Sequence, residues 1–199
     1  VTPSLIYNSV DQPIFPTTGK RLTLSSDFAG LGGNTNFIKP TIEGVAFLKE
    51  NNRMTLGVRG QLEYIHPYGG TLDVPIFEKL FLGGEYSVRG FDLRTIGPSD
   101  LATGLVLGGN KSLLFNVEQI FSVVGPVRLI LFYDAGQVRG NGDSFGWKEQ
   151  IISVVPPPIP LLVDPVQTVG LNACTVVNNV CVVPPPQTVV SGERSAFKT

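Results

Sequence analysis

Residues 54–64 read MTLGVRGQLEY, and apolar and polar side chains alternate along this segment. In an extended chain the apolar face carries Met54, Leu56, Val58, Leu62 and Tyr64, and the opposite face carries Thr55, Arg59, Gln61 and Glu63. Alternation with a period of two residues indicates a β-strand with one dry face and one wet face. The segment therefore predicts one strand of a sheet whose two sides meet different surroundings.

Four further segments repeat the pattern, at residues 21–28, 38–49, 112–120 and 127–138. Val45 and Phe47 are exceptions, because they are apolar residues on a polar face. Each segment has about 8–12 residues, which suits a tilted transmembrane strand. A soluble antiparallel sheet gives the same alternation. The periodicity therefore leaves open both a soluble β-sandwich and a transmembrane β-barrel.

The composition argues against a helical protein. Glycine and proline, which have the lowest helix propensities, account for 23 and 16 of the 199 residues. No run of about 18 apolar residues is present, so a spanning helix is excluded. Charged residues make up only 16% of the chain, which is low for a soluble domain.

Catalysis and nucleic-acid binding receive little support from the sequence. The net charge of −1 provides no basic field for a phosphate backbone. The single histidine, His66, lies among aromatic residues, and no nucleophile motif or metal cluster accompanies it. We therefore predict no catalytic residue, no metal, no cofactor and no nucleic-acid partner.

The connections between the predicted strands are either short or long. Residues 49–53 and 124–126 are predicted to be tight turns, whereas residues 84–110 and 139–198 are long excursions. Short turns at one end and long loops at the other are typical of outer-membrane barrels. A sandwich has no reason to sort its loops by end, so the loop lengths favour an antiparallel transmembrane β-barrel.

The first long loop carries a specific motif. Residues 82–92 read LGGEYSVRGFD, and TIGP follows at residues 95–98. This stretch resembles the loop-six motif of the BamA family of outer-membrane β-barrel assembly factors. Residues 15–21, FPTTGKR, are similar to that family's periplasmic turn, and residues 132–138, FYDAGQV, to its thirteenth strand. The resemblance covers residues 1–138.

The resemblance implies an all-β fold, a partial barrel of about six strands that correspond to family strands eight to thirteen. Residues 1–138 are expected to form this partial barrel, including the VRGF loop at 84–110. Residues 139–199 are expected to form a long proline-rich extracellular loop and the start of the next strand. The family's POTRA domains, early strands and last three strands are expected to lie outside these residues.

The motif residues Val88, Arg89, Gly90 and Phe91 suggest how the loop is held. A guanidinium in a confined lumen needs a partner, and its rigid fork of donors suits carboxylates. Glu118 and Asp134 lie on the polar faces of neighbouring predicted strands. On the residues alone, the three charges could merely line a water-filled lumen. The resemblance implies that Arg89 docks against both carboxylates. Phe91 is expected either to anchor the loop tip through apolar contacts or to make ordinary loop packing contacts.

The only two cysteines, Cys174 and Cys181, fall in the predicted extracellular loop. An oxidising location favours a local disulfide between them, closed around a turn at Asn178-Asn179. A metal site is the alternative, but two cysteines with no nearby histidine provide too few ligands.

The resemblance also implies a function. It predicts a non-enzymatic assembly factor that folds β-barrel proteins and inserts them into the outer membrane of a Gram-negative-type bacterium. Its partners would be unfolded outer-membrane proteins, the lipid bilayer and outer-membrane lipoproteins of an assembly complex. The alternatives are a two-partner secretion or translocation-assembly transporter of the same superfamily, a passive porin, and a soluble β-sandwich binding module.

Overall fold

A computed structural model describes residues 1–30, 32, 35–100, 103–125, 127–146, 148–155, 175–177, 180–182 and 187–198. The strands are β1 (Ser4–Asn8), β2 (Gly19–Ala29), β3 (Phe37–Asn51), β4 (Met54–Tyr64), β5 (His66–Pro67), β6 (Lys111–Val124), β7 (Val127–Arg139), β8 (Lys148–Val155), β9 (Thr175–Val177), β10 (Val180–Val182) and β11 (Gln187–Ser195). No helix among the described residues is long and apolar enough to cross a membrane.

The main sheet contains seven antiparallel strands. Six of them follow the order β1-β2-β3-β4-β6-β7, and the short β5 pairs with β3. Within the described part of the chain β1 and β7 do not pair, so the sheet is an open, partial barrel. The prediction of an antiparallel partial barrel of about six strands is confirmed.

The outer face of this sheet is largely apolar and exposed. Nine of its apolar residues are between 36% and 58% exposed, and they are Leu22, Leu24, Ile42, Leu48, Leu62, Phe115, Leu129, Leu131 and Tyr133. Moving each such side chain out of water contributes roughly 1.5–3 kcal/mol. The outer face is therefore suited to hydrocarbon.

The antiparallel register arranges the side chains of the inner face in rows across the sheet. The central row consists of Arg21, Val45, Arg59, Asn116 and Asp134. The next row toward the short turns consists of Gly19, Phe47, Gly57, Glu118 and Phe132. These two rows supply the wall residues of the candidate site.

The connection between β4 and β6 lies on the inner face and supplies most of the core. It begins at Ile65, so the loop predicted at 84–110 is its second part. The buried apolar cluster combines this connection with the strands, and it consists of Phe37, Ile65, Val74, Leu80, Leu82, Val88, Ile96, Leu114 and Val138. The core is thus formed between a loop and one face of a sheet.

A second segment, residues 9–18, crosses the inner face at the end with the short turns, and we call it the strap. The guanidinium carbon of Arg128, at the start of β7, lies 3.6 Å from the centre of the Phe15 ring. Pro13 and Pro16 of the strap line a cavity together with Val45 and Phe47. The two apolar exceptions on the polar face of β3 therefore face the apolar strap.

Beyond β7, the chain forms further strand pairs. β8 pairs with β11, and β9 pairs with β10 on either side of the predicted turn at 178–179. Lys198 forms an isolated antiparallel bridge to Gly136 of β7, where the next barrel strand was predicted to start. Cys174 lies outside the described residues, so the disulfide with Cys181 stays a prediction.

Asp11 fixes the shape of the strap, and its pKa provides a test. The Asp11 carboxylate accepts hydrogen bonds from the Thr17 hydroxyl at 2.6 Å and from the Thr17 and Thr18 amides at 3.0 and 3.2 Å. These bonds, the Thr17 hydroxyl first, lower the pKa of Asp11 from 3.8 to about 2. Because the folded-state pKa is depressed, the stabilisation is present above pH 3.8 and is lost as the pH falls through about 2.

We expect Thr17→Val to raise the pKa of Asp11 toward its ordinary value, because it removes the hydroxyl donor. Thr18→Val is the matched control, since Thr18 contributes only its backbone amide. The carboxyl carbon shift of labelled Asp11, followed by NMR through the acid range, measures both. An unchanged titration in Thr17→Val would contradict this account of the strap.

The contact between Phe15 and Arg128 is testable by substitution. We expect Phe15→Ala to lower the thermal unfolding midpoint, because a cation–π contact contributes about 0.5–1 kcal/mol at exposed sites. Phe15→Trp should preserve the midpoint, since indole is the best partner for a guanidinium. Ile14→Ala serves as the control, because Ile14 is 77% exposed. Equal effects at the two positions would show that the contact contributes nothing.

Candidate functional site

The VRGF loop folds back on itself at three glycines. Gly83, Gly84 and Gly90 have φ values of 107°, 102° and 88°, a region that favours glycine. A side chain at Gly83 would collide with the carbonyl oxygen of Asp92. Gly84 donates to the carbonyl of Phe91 at 3.0 Å, which closes the loop. The glycines thus permit the tight turn that presents Arg89 to the wall.

The base of this loop is a short antiparallel pair. Leu82 and Ile96 exchange two backbone hydrogen bonds, each 3.0 Å long. Both side chains are buried in the apolar cluster. We call residues 82–96 the docked loop.

Arg89 makes a bidentate pair with Asp134 of β7. Its Nε donates to Oδ2 and its Nη2 donates to Oδ1, both at 2.7 Å. The Arg89 backbone amide also donates to Oδ2, at 3.1 Å. The Asp134 side chain is only 3% exposed, so this carboxylate depends on Arg89 for much of its charge compensation.

Glu118 of β6 binds the remaining arm of the same guanidinium. Arg89 Nη1 lies 2.7 Å from Glu118 Oε1. The Glu118 side chain is 33% exposed, so water screens this pair more than the pair with Asp134. The Arg89 guanidinium carbon also lies 3.8 Å from the centre of the Phe132 ring, which covers one face of the charge.

Asn116 of β6 joins the loop backbone to the carboxylate. Its Nδ2 donates to the Ser87 carbonyl at 2.7 Å and to Asp134 Oδ1 at 2.8 Å. Asn116 lies directly opposite Asp134 in the register. The loop is therefore held through its backbone as well as through the Arg89 side chain.

Apolar contacts seat the motif beside the charged group. Val88 is fully buried, and Phe91 packs against the apolar cluster from its edge. A side chain at Gly136 of β7 would lie 2.7 Å from Leu82 Cδ1 and 3.1 Å from Val88 Cγ2. The missing side chain at Gly136 therefore creates the space in which Val88 sits.

The structure brings Arg89, Glu118 and Asp134 together. The contribution of Asn116 was missed, although its place on the polar face of β6 was visible. The alternation of side chains assigns a residue to one face of the sheet, but only the strand register places Asn116 opposite Asp134. The hydrogen bond from the Arg89 backbone amide to Asp134 could not be predicted, because a backbone donor does not depend on which side chain the residue carries.

The chemistry of the site is ionic and structural. No group of three or more histidine, cysteine, aspartate or glutamate side chains in the described part of the chain could hold a metal ion. His66 lies on β5, exposed and near the Tyr64 ring, away from Arg89. The contacts of Arg89 with Glu118 and Asp134 can hold the docked loop against the sheet.

A family model of the Omp85 superfamily domain matches residues 1–156. The chain belongs to the Omp85 superfamily. This Omp85 chain is 31% identical over 151 residues to the outer membrane protein assembly factor BamA of Nitratidesulfovibrio vulgaris, covering 72% of the chain and 19% of the relative. It is also 31% identical over 139 residues to BamA of Neisseria meningitidis, covering 66% of the chain and 17% of that relative.

Eukaryotic relatives and a solved structure agree with this placement. The human sorting and assembly machinery component 50 homolog is 32% identical over 114 residues, which cover 53% of the Omp85 chain and 22% of the relative. The crystal structure of BamA from Haemophilus ducreyi lacking POTRA domains 1–3 matches with a TM-score of 0.65 and 24% identity. The match covers 70% of the Omp85 chain and 29% of the chain in that crystal structure. This match supports the barrel fold.

Two predictions are confirmed by these comparisons: the resemblance to BamA assembly factors and the location in an outer membrane. The chain spans about a fifth of the length of the curated relatives it matches.

Gly136 provides a test of the docked loop that leaves every charge in place. We expect Gly136→Ala to displace Val88 and Leu82, because overpacking a filled site costs roughly 1–3 kcal/mol. Trypsin cleavage after Arg89 and Arg94 should then accelerate. Gly60→Ala is the matched control, since nothing lies within 4 Å of its added carbon. Equal cleavage rates in the two variants would mean that the loop is not seated at Gly136.

Proposed function

We propose that this chain is the loop-holding region of an outer-membrane protein assembly factor, which folds β-barrel proteins and inserts them into the outer membrane. The observation that carries the proposal is the bidentate pair between Arg89 of the VRGF loop and Asp134 of β7. Similar proteins also support the proposal, because bacterial and eukaryotic relatives of this chain are named as assembly factors or assembly machinery.

The geometry supports a bracing role within that function. One guanidinium binds carboxylates of β6 and β7, so the loop ties two wall strands to one point on the inner face. The apolar cluster holds the loop base against the same strands. A wall braced in this way keeps its register while strands elsewhere in a barrel separate or close around an incoming strand.

The surfaces of the sheet match the partners that this function requires. The uncovered apolar outer face suits a lipid bilayer. The proposed clients are unfolded outer-membrane proteins, and the proposed accessory partners are outer-membrane lipoproteins of an assembly complex in a Gram-negative-type bacterium. The site itself acts without bond-breaking chemistry.

A passive porin is the less favoured function. A porin requires an open lumen, whereas the docked loop occupies the inner face of the sheet beside Asn116 and Asp134. A transporter of the same superfamily would use the same braced wall for a narrower set of clients, so the test must measure insertion directly.

A chimaera tests the proposal in a complete barrel. Residues 1–156 replace the matching segment of BamA from Nitratidesulfovibrio vulgaris, in cells depleted of their own assembly factor. We expect the chimaera to support insertion of heat-modifiable porins. Arg89→Ala should reduce the folded porin level by roughly tenfold or more, because it leaves the buried Asp134 carboxylate unpaired.

Arg53→Ala is the matched control, because Arg53 lies in the short turn between β3 and β4, away from the docked loop. It should insert porins at the level of the unmodified chimaera. The proposal is wrong if Arg89→Ala inserts porins as well as Arg53→Ala does while both proteins reach the membrane. Export of a secreted client without porin insertion would favour the transporter instead.

A further inference from the structure

Arg59 of β4 contacts the docked loop on the inner face, two strands away from Asp134 of β7. Its Nη1 donates to the backbone carbonyl of Tyr86 at 2.9 Å. Arg59 belongs to the central row of the inner face, between Val45 and Asn116. We infer that Arg59 is a positioning residue that forms a second anchor of the docked loop, independent of Arg89.

The orientation of Arg59 is set by the wall. Its Nε donates to Glu43 Oε1 of β3 at 2.9 Å, and its Nη2 donates to Gln61 Oε1 of β4 at 2.8 Å. The guanidinium is planar and rigid, so two fixed arms determine the direction of the third. The arm that reaches Tyr86 is therefore aimed at the loop by residues that belong to the strands alone.

A carboxylate of the wall compensates part of the charge of Arg59. Glu43 lies 2.9 Å from Arg59 and 3.5 Å from Arg21, so one carboxylate is shared by two guanidinium groups of the wall. The hydrogen bond from Arg59 to the neutral Tyr86 carbonyl is donated by a charged group, and such bonds are stronger than bonds between neutral groups. The anchor thus combines a charged donor with a backbone acceptor.

Three strands bind consecutive parts of the loop. Arg59 of β4 holds the carbonyl of Tyr86, and Asn116 of β6 holds the carbonyl of Ser87. Asp134 of β7 binds both the amide and the side chain of Arg89. Arg59, Asn116 and Asp134 occupy one row of the register. The loop segment therefore lies along this row, with at least one polar contact from each of the three strands.

The two anchors hold the loop in different ways. Arg89 projects from the loop into the wall, whereas Arg59 projects from the wall to the loop backbone. The Tyr86 side chain is 81% exposed, so the second anchor does not depend on the residue at position 86. Loss of Arg59 should therefore free the loop backbone at Tyr86 while Arg89 remains bound.

This inference rests on the proposed function, in which the docked loop is a working part of an assembly factor. Its test measures loop mobility instead of porin insertion, so the two can fail separately. A nitroxide label at Tyr86→Cys, with Cys174 and Cys181 replaced by serine so that no other thiol reacts, reports on the loop in the protein in detergent micelles. The label leaves the backbone carbonyl that Arg59 binds in place.

We expect Arg59→Ala to increase the mobile fraction of the label roughly tenfold, the order expected for one charge-assisted hydrogen bond. Arg59→Lys should give an intermediate value, because a single ammonium cannot satisfy three partners at once. Arg21→Ala is the matched control, since Arg21 shares Glu43 with Arg59. It removes an arginine of the same cluster and should leave the label immobile.

Heat-dependent mobility on gels establishes that each variant retains its folded β-sheet, and Arg59→Lys serves if Arg59→Ala does not fold. A second label at Arg94→Cys, beyond Arg89, should change little in either Arg59 variant. A label at position 86 that is equally immobile with arginine, lysine or alanine at position 59 would overturn the inference. So would an equal gain in mobility in Arg21→Ala, because the effect would then belong to the wall.

Discussion

The buried carboxylate of Asp134 is the constraint on which the site depends. A charge with so little access to water is tolerated only when it is paired and hydrogen-bonded. Here the guanidinium and the amide of Arg89 and the amide of Asn116 satisfy it together. Two of these three donors come from the loop, so the strand and the loop are stable in this form only when joined. The position of the VRGF motif follows from that requirement.

Strand register is the second requirement. The three residues that hold successive parts of the loop come from three strands, and a slip of one residue would turn any of them to the outer face. The register is set by the short turns and by bulges near Asn51 and Val124. The strap, whose turn is held by Asp11, faces β3 across a small cavity at the same end. The end with short turns thus determines the geometry of a site farther along the strands.

The sequence predicted the strands of the main sheet, because alternation is a local signal, and the family resemblance of the motif pointed to Arg89, Glu118 and Asp134. Its limits are equally physical. Val45 and Phe47 looked like exceptions, since nothing in their own segment reveals that a strap packs on them. Arg59 was assigned to a polar face, but its contact with Tyr86 is to a backbone carbonyl and has no sequence signature. The pairing of β8 with β11 joins residues more than thirty positions apart across a proline-rich stretch, beyond the range of local patterns.

A double-mutant cycle on Arg89 and Asp134 tests the central claim most directly. The free energy of unfolding is measured in detergent for the intact protein, for Arg89→Ala, for Asp134→Ala and for the double variant. If the loop and the sheet are joined through this pair, each single change is severe, the second adds little to the first, and the coupling energy reaches about 2 kcal/mol or more. Losses that simply add, with a coupling energy near zero, would contradict it.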